Sequence, residues 1–432
     1  MNDHAPALRA RQVFWTIPAA LKTDAVAVFV FLSLLLIGAD RFGLRIGGLS
    51  LRAVFPVLMV ACSLLYLRYN ENIRFHKPMM ILFVLWALAG AASSFESYAP
   101  AKSVGYTIWT LFNFFIIISL FYNYARNSEP AQVLSLWLFV FRIHCLLVIL
   151  EFARNILTGN PERPYLWFYE PSYLAIFMTA YFGSALYMLL HRGRAYLPDF
   201  LLATATFLLV ASATGIFGML LAVALNFVIS RQRLKLLLGT AVLGGSFVGI
   251  LYVFFQSTTY YQFLVGFLLT SDANLIDLIL LRGGNRVVRA IVGWEAFLQH
   301  PWLGIGIGAD DVYMDLNGFP DAAWRYIRPW SDVDFGAPFC NVFVSVLGST
   351  GILGFLPFMG IILYAGGMAL GQIRLRRNPE IVAMLVGFFS ILLAMQLDGT
   401  VQRYYVWSPL GLALGMVAYQ NRRNLASGKE TT

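Results

Sequence analysis

Apolar residues in this chain come in unbroken runs of about twenty, and they do not alternate with polar ones. A helix of that length crosses the ~30 Å hydrocarbon core of a bilayer. Runs of this kind predict about twelve spans, at 25–39, 48–67, 78–94, 104–123, 132–155, 171–190, 197–211, 214–230, 236–255, 339–370, 381–397 and 405–420. The seventh and eighth are short. The 34 residues from Leu197 to Ser230 nevertheless exceed one crossing at ~1.5 Å per residue, so a hairpin is expected at Ser212–Gly215. The 339–370 run is too long, and its first turns are expected to belong to the loop before it. The fold class is therefore an all-α polytopic membrane protein. A membrane β-barrel would show short alternating segments instead.

The organisation read from this pattern has three parts: 1–255 with transmembrane helices 1–9, a large loop at 256–338, and 339–432 with helices 10–12 and a tail. Within the loop, Val287, Ile291, Trp294, Phe297 and Leu298 are spaced for the apolar face of a helix that ends at Pro301. Arg282, Arg286 and Arg289 recur every three to four residues and so share one face of it. Such a helix, lying along the membrane surface, would offer its arginines to lipid phosphates.

Composition sharpens the picture. Hydrophobic residues make up 59% and charged residues only 12%, against roughly a quarter in soluble chains. The net charge of +9 is spread over short loops. It sets orientation and does not point to nucleic acid. Loops holding Arg68, Arg74 and Lys77, Arg126, Arg192 and Arg194, Arg231, Arg233 and Lys235, Arg374, Arg376 and Arg377, and the tail arginines Arg422 and Arg423 are basic and read as cytoplasmic. Those holding Asp40 and Arg41, Glu96 and Lys102, Glu162, Arg163 and Glu170, the large loop, and Asp398 and Arg403 are mixed. Both termini are then expected inside and the 256–338 loop outside. The three cysteines, Cys62, Cys145 and Cys340, form no CxxC pair and imply neither a disulfide framework nor zinc. The first apolar run lacks a cleavage pattern and reads as a retained helix.

Candidate chemistry lies on the mixed-charge side. Clustered arginines bind phosphate oxygens in a fork and suit a diphosphate; pairing with acids of the same loop is the alternative. In PERPYLWFYEPSYLAIF, beginning at Pro161, Glu170 either caps a helix start or takes a proton from a sugar hydroxyl. Asp310 and Asp311 are candidates for a general base, a cation site or a solvated loop edge. Trp302, Trp324 and Trp330 suit sugar stacking or interfacial anchoring equally. The glycines of GIGIG, 304–308, lack the strand–loop–helix context of a nucleotide loop and are expected to make a tight turn. Arg142, His144 and Glu151 lie inside an apolar run, where charge is costly; they mark either a path or a buried pair.

HPWLGIGIG at 300–308, preceded by Arg286, and Asn341, which stands ten residues before Gly351-Ile352-Leu353-Gly354, resemble the signature region of the O-antigen ligase and polymerase superfamily. The similarity covers mainly 282–360. It implies a GT-C-like, multispanning glycosyltransferase of the bacterial inner membrane with a large periplasmic loop. Where the ligase type has His before that Asn, this chain has Cys340. The ligase-type hairpin Ser-Arg reads Ser212-Ala213-Thr214-Gly215. FYEPSYLAIF is similar to repeat-unit polymerases of the Wzy type, in which Arg163 would be the second loop arginine. The resemblance thus implies a polymerase taking undecaprenyl diphosphate-linked donor and acceptor, with no cofactor and no obligatory metal. A ligase to lipid A core or protein is the alternative, and a lipid-linked glycan transporter is a third reading. The resemblance points to Arg286, Arg163 and Asn341; taken with the residue chemistry above, Arg286, Arg289, Glu170 and Asp310 are expected to be catalytic, and Arg282, Arg163, Tyr173, Trp302 and Asn341 to bind substrate. Membrane lipids, a chain-length regulator and a flippase are the expected partners.

Overall fold

The computed structural model describes residues 16–39, 44–46, 49–51, 54–69, 73–159, 162–210, 212–230, 285–318, 339–375, 378–399 and 401–427. The span expected at 236–255, Arg282, Trp324 and Trp330 lie outside these residues.

Helices make up almost all of the described residues. In chain order they are α1 (Ala25–Leu35), α2 (Val54–Tyr69), α3 (Lys77–Ser93), α4 (Pro100–Asn127), α5 (Pro130–Leu157), α6 (Pro171–Arg192), α7 (Leu197–Val210) and α8 (Ala213–Ile229). After the gap come α9 (Asn285–Gln299), α10 (Asp310–Asn317), α11 (Val342–Arg374), α12 (Pro379–Leu397) and α13 (Tyr404–Ala426). Among the described residues, α4, α5, α6, α11 and α12 are long and apolar enough to cross a membrane, and four shorter apolar helices accompany them. The protein is a multi-pass, all-α membrane protein. The break between α7 and α8 falls where the hairpin was expected.

One expected span is shortened at its start. Leu44–Ile46 (β1) and Leu49–Leu51 (β2) form a small antiparallel pair, Ile46 facing Leu49. The helix read from residue 48 therefore begins at Val54. Gly47-Gly48 between two short apolar arms is a hairpin signal that hydropathy alone overlooks.

Helix starts are written in the sequence. Proline stands in the first turn of α4, α5, α6 and α12, where its missing N–H leaves no bond unmade. Asp24 and Asn378 cap α1 and α12 by accepting from Val26 N–H and Glu380 N–H. The centre of the bundle is α6, buried from Ser172 to Met188 apart from Tyr173 and packed on α8, α12 and α7. Small residues permit the approach: a Cβ on Gly183 would fall on Ser390 of α12. The first half of α13, Tyr404–Met416, is buried against α4.

The intramembrane charges resolve into a buried pair. Arg142 donates from Nε to Asp199 Oδ1 at 2.7 Å and from Nη2 to Oδ2 at 2.8 Å; Tyr181 donates its hydroxyl to Oδ1 at 2.6 Å. His144 is fully buried, with Nδ1 2.9 Å from the Val140 carbonyl and its ring against Trp167, Phe168 and Phe177. Glu151 accepts from the N–H groups of Tyr165 and Leu166 at 3.1 and 2.7 Å and so shapes the loop that leads into α6.

Candidate active site

Three glycines and a helix break assemble one end of the bundle. Gly304, Gly306 and Gly308 have φ of +68°, +96° and +76°, a region that side chains other than glycine rarely adopt. They let the chain after Pro301 turn tightly and press on its surroundings: a Cβ at Gly306 would overlap Ser97 and Ser103, and one at Gly308 the Tyr106 ring. Helix α11 breaks at Gly351 (φ 58°, ψ −165°). The carbonyls freed there are taken by the loop: Ile305 N–H donates to Gly348 O at 2.9 Å and Gly306 N–H to Ser349 O at 3.0 Å. In return, Ile352 N–H donates to Pro301 O at 2.9 Å and Leu353 N–H to Trp302 O at 3.3 Å. Loop and span are clasped by four backbone bonds.

Helix α9 packs on this clasp with a face other than the large apolar one read from the spacing. Val288, Val292 and Ala296 are buried and join Ile305, Ala309, Tyr313, Met314 and Phe339 in a second core. Trp294 and Leu298 are 47% and 55% exposed. The small i, i+4 stripe meets protein, and the large apolar residues point away from it. In a chain solvated by lipid, hydrophobic periodicity marks the lipid face as readily as the core.

The polar cavity at this end has a volume of about 180 Å³. Its walls include Lys102, Tyr106, Tyr173, Asp310, Ser349 and Arg403. Lys102 Nζ lies 2.6 Å from Asp311 Oδ2. Asp310, expected to be a base or a solvated edge, is only 4% exposed. Its carboxylate accepts from Phe339 N–H at 3.0 Å and Ser349 Oγ at 3.3 Å. Burial is the main cause that raises its pKa to about 6; Phe339 N–H, Lys102 and Ser349 pull the other way, and Asp311 adds to the rise. Across the cavity the Arg403 guanidinium sits 3.8 Å from the centre of the Tyr173 ring, a cation–π contact. The segment bearing Arg403 is pinned at Gln402, whose carbonyl accepts from Trp109 Nε1 at 3.0 Å and Asn113 Nδ2 at 3.2 Å. Asn113 opens a π-helical stretch in α4, Asn113–Ile118.

A second, largely apolar groove of about 310 Å³ is lined by Arg286, Val287, Ala290, Ile291, Trp294, Asn341, Gln396 and Leu397. Asn341 lines it, and the helix that Asn341 caps runs on to Ser345 and Ser349 in the wall of the polar cavity. Asn341 adopts φ +68°, caps α11 by accepting from Phe343 and Val344 N–H, and donates to Gln396 Oε1 at 2.9 Å. Cys340 is buried next to it. Its thiol is pushed up to about 12, by burial first, with Arg289 and Arg286 lowering it and Asp398 and Glu170 raising it. The charges of both described loop arginines and of Glu170 therefore converge on this residue.

The structure thus brings Arg286, Arg289, Glu170, Tyr173, Asp310 and Asn341 to one end of the bundle, around Cys340 and the two cavities. Glu170 precedes the first turn of α6 and accepts a hydrogen bond from Ser172 Oγ. Trp302 is exposed and lines neither cavity; its carbonyl serves the clasp. Arg163 is exposed on the loop before α6 and lines neither cavity. Lys102, Tyr106, Gln402 and Arg403 join the site without having been singled out for it. The signal was present: Lys102 and Arg403 are cations on the side that the charge bias leaves poor in them. Among the described residues no cluster of His, Cys, Asp and Glu could hold a metal ion.

Residues 200–359 match a family model described as O-antigen ligase. The match is under half of the chain; it takes in Arg286, Asp310 and Asn341 and leaves out Lys102, Glu170, Tyr173 and Arg403. No curated protein matches the chain.

Proposed function

We propose, from the membership of the O-antigen ligase and polymerase superfamily that the match over 200–359 supports, that this chain polymerises undecaprenyl diphosphate-linked oligosaccharide repeats. One observation carries the reading. Arg286 and Asn341 line an apolar groove, and the first turns of the helix that Asn341 caps line a polar cavity with a buried carboxylate. A lipid-linked sugar has the same layout: polyprenyl chain, diphosphate, glycan.

In this reading the polyprenyl chain lies along Val287, Ile291, Trp294 and Leu397, and Arg286 and Arg289 hold the diphosphate. The acceptor hydroxyl oxygen attacks the anomeric carbon of the donor glycan. A carbon–oxygen bond forms there, the bond to the diphosphate oxygen breaks, and that oxygen leaves with the electron pair. The hydroxyl proton passes to Asp310, whose raised pKa suits a base working near neutrality. Charge develops on the leaving diphosphate, so fixed cations contribute most; losing one such contact costs roughly 10²–10³ in rate. Lys102, Arg403 and Tyr173 orient the acceptor. The site end faces the periplasm of a bacterial inner membrane and both termini the cytoplasm. A chain-length regulator and a flippase are further proposed partners.

The family description also favours a second reading, transfer to lipid A core or protein. Against it, Cys340 stands where the ligase type has histidine, and a buried thiol with so high a pKa does not act as a base. Incubation of the purified chain with lipid-linked repeats, read on a gel, tests both. Polymerisation gives a ladder that Arg286→Ala reduces at least 100-fold. A product only when lipid A core is supplied means ligase. No product from an authentic donor refutes glycan transfer.

A further inference from the structure

The end of the bundle away from this site carries a second built feature. Arg126 lies in the last turn of α4 and is only 7% exposed. The charges of Arg422, on α13, and Arg74, before α3, both act on it. Among the described residues no carboxylate lies within ion-pairing distance of any of the three.

Their positions are fixed by a polar network. Arg422 donates to Asn127 Oδ1 at 3.3 Å, and Asn127 Nδ2 donates to the Tyr66 hydroxyl at 2.7 Å. Tyr66 donates to the Asn123 carbonyl at 2.9 Å. The Asn123 side chain in turn accepts from Arg74 N–H at 3.0 Å and donates to Arg74 O at 2.9 Å. Helices α4 and α13 meet here backbone to backbone: a Cβ on Gly415 would fall against Tyr122 O, Ala125 and Arg126 N. One turn along the same two helices, beside Tyr122 and Ala418, opens a cavity of about 490 Å³. Its walls include Tyr364, Met368, Leu414 and Val417, with His76 and Asn421 as polar members.

Orientation bias accounts for basic residues in water at the ends of spans. It does not account for a buried arginine held next to two others with no acid among the described residues beside it. Like charges held this close repel, most of all at the buried Arg126, and an anion among them relieves that repulsion. The cavity one turn away, walled on one side by Met368, Leu414 and Val417, says what the anion is attached to. We propose that Arg74, Arg126 and Arg422 hold the phosphate of an anionic phospholipid, with an acyl chain in the adjoining cavity. This lipid site is separate from the proposed glycosyl-transfer site.

The test is native mass spectrometry of the full chain in detergent, titrated with phosphatidylglycerol or phosphatidylcholine of the same chains. Wild type retains phosphatidylglycerol in preference, and each lost arginine reduces that preference roughly fivefold, about 1 kcal/mol per cation. Arg126→Gln removes the buried cation. Arg422→Gln, exposed at the helix end, keeps the test open if the first variant does not fold, and Arg423→Gln is the control expected to change nothing. Equal retention of the two lipids by wild type overturns the proposal. So does a phosphatidylglycerol preference that survives in Arg422→Gln. Thermal stabilisation by inorganic phosphate equal to that by phosphatidylglycerol overturns the lipid as source. The gel ladder is read independently, so failure here leaves the polymerase reading standing.

Discussion

Replacing Asp310 with asparagine separates stability from chemistry. The side chains match in shape. Asparagine Oδ1 can accept from Phe339 N–H, now at 3.0 Å from the carboxylate, and its amide can donate to Ser349 Oγ, so the local bonds have replacements. In wild type the carboxyl is raised from 3.8 to about 6. At pH 7.5 both folded and unfolded forms are ionised, and the shift of about two units means a cost of about 3 kcal/mol for holding the charge inside. The sign follows: this carboxyl favours folding most below the unfolded value, and that benefit is lost as pH rises through about 6. Asparagine removes the cost and gives up about 1 kcal/mol of charge-assisted hydrogen bonding. Asp310→Asn is therefore expected to be as stable as wild type or up to about 2 kcal/mol more stable at pH 7.5, with the gain fading towards pH 4. With Asp310 as base of the proposed transfer, wild-type ladder formation should fall tenfold per unit below pH about 6. The variant should be slower by roughly 10²–10⁴ and flat over that limb. Initial rates of ladder formation between pH 5 and pH 8, beside melting curves at the same pH values, supply both numbers. A variant with wild-type rate and an unchanged acid limb removes Asp310 from the chemistry, and one that melts far lower assigns it to holding Phe339 in place.

Gly306→Ala should lower stability by more than 2 kcal/mol, since it combines ~1–2 kcal/mol for the positive φ with overlap on Ser97 and Ser103; an unchanged melting temperature contradicts the clasp geometry. Arg142→Leu should cost roughly 3–5 kcal/mol because it strands Asp199, whereas the double change with Asp199→Leu should recover most of that; strict additivity in the melting data would show that the pair is not coupled. Cys340 should resist iodoacetamide at pH 8 for hours in the folded protein, by burial and a thiol pushed up to about 12; rapid alkylation seen by peptide mass spectrometry would contradict both.

Much of the helical frame was legible because hydropathy reports the length of a membrane span directly. The α7–α8 hairpin and the end of α9 before Pro301 both followed from run length and proline. Which side of α9 packs on protein was not read, because two solvents compete for apolar side chains, and the buried stripe is the small one, Val288, Val292 and Ala296, while Trp294 and Leu298 are exposed. Arg142 was recognised as needing a partner or a path, but its partner stands 57 residues on in another helix, and periodicity carries no information over that distance. Lys102 and Arg403 entered the site for the same reason: Lys102 meets Asp311, 209 residues away, and Arg403 meets Tyr173 only once α6 and α13 are packed. Asp310 looked like a loop edge because it sits in a polar stretch, and only the fold of 339–349 over it made it interior.

The four backbone bonds between the loop at 301–306 and the broken turn of α11 bear on how substrate arrives. A roof joined to a span by its own main chain does not swing up like a flap; to lift it would unravel the helix beneath. For the proposed lipid-linked substrate, entry sideways along the groove by Trp294 and Leu397 needs no such rupture. Traffic through the enzyme would then be two-dimensional. Its apparent affinity would follow the mole fraction of lipid-linked repeat in the membrane, not the concentration in the bulk water, and diluting the bilayer with inert lipid would slow it while adding water would not.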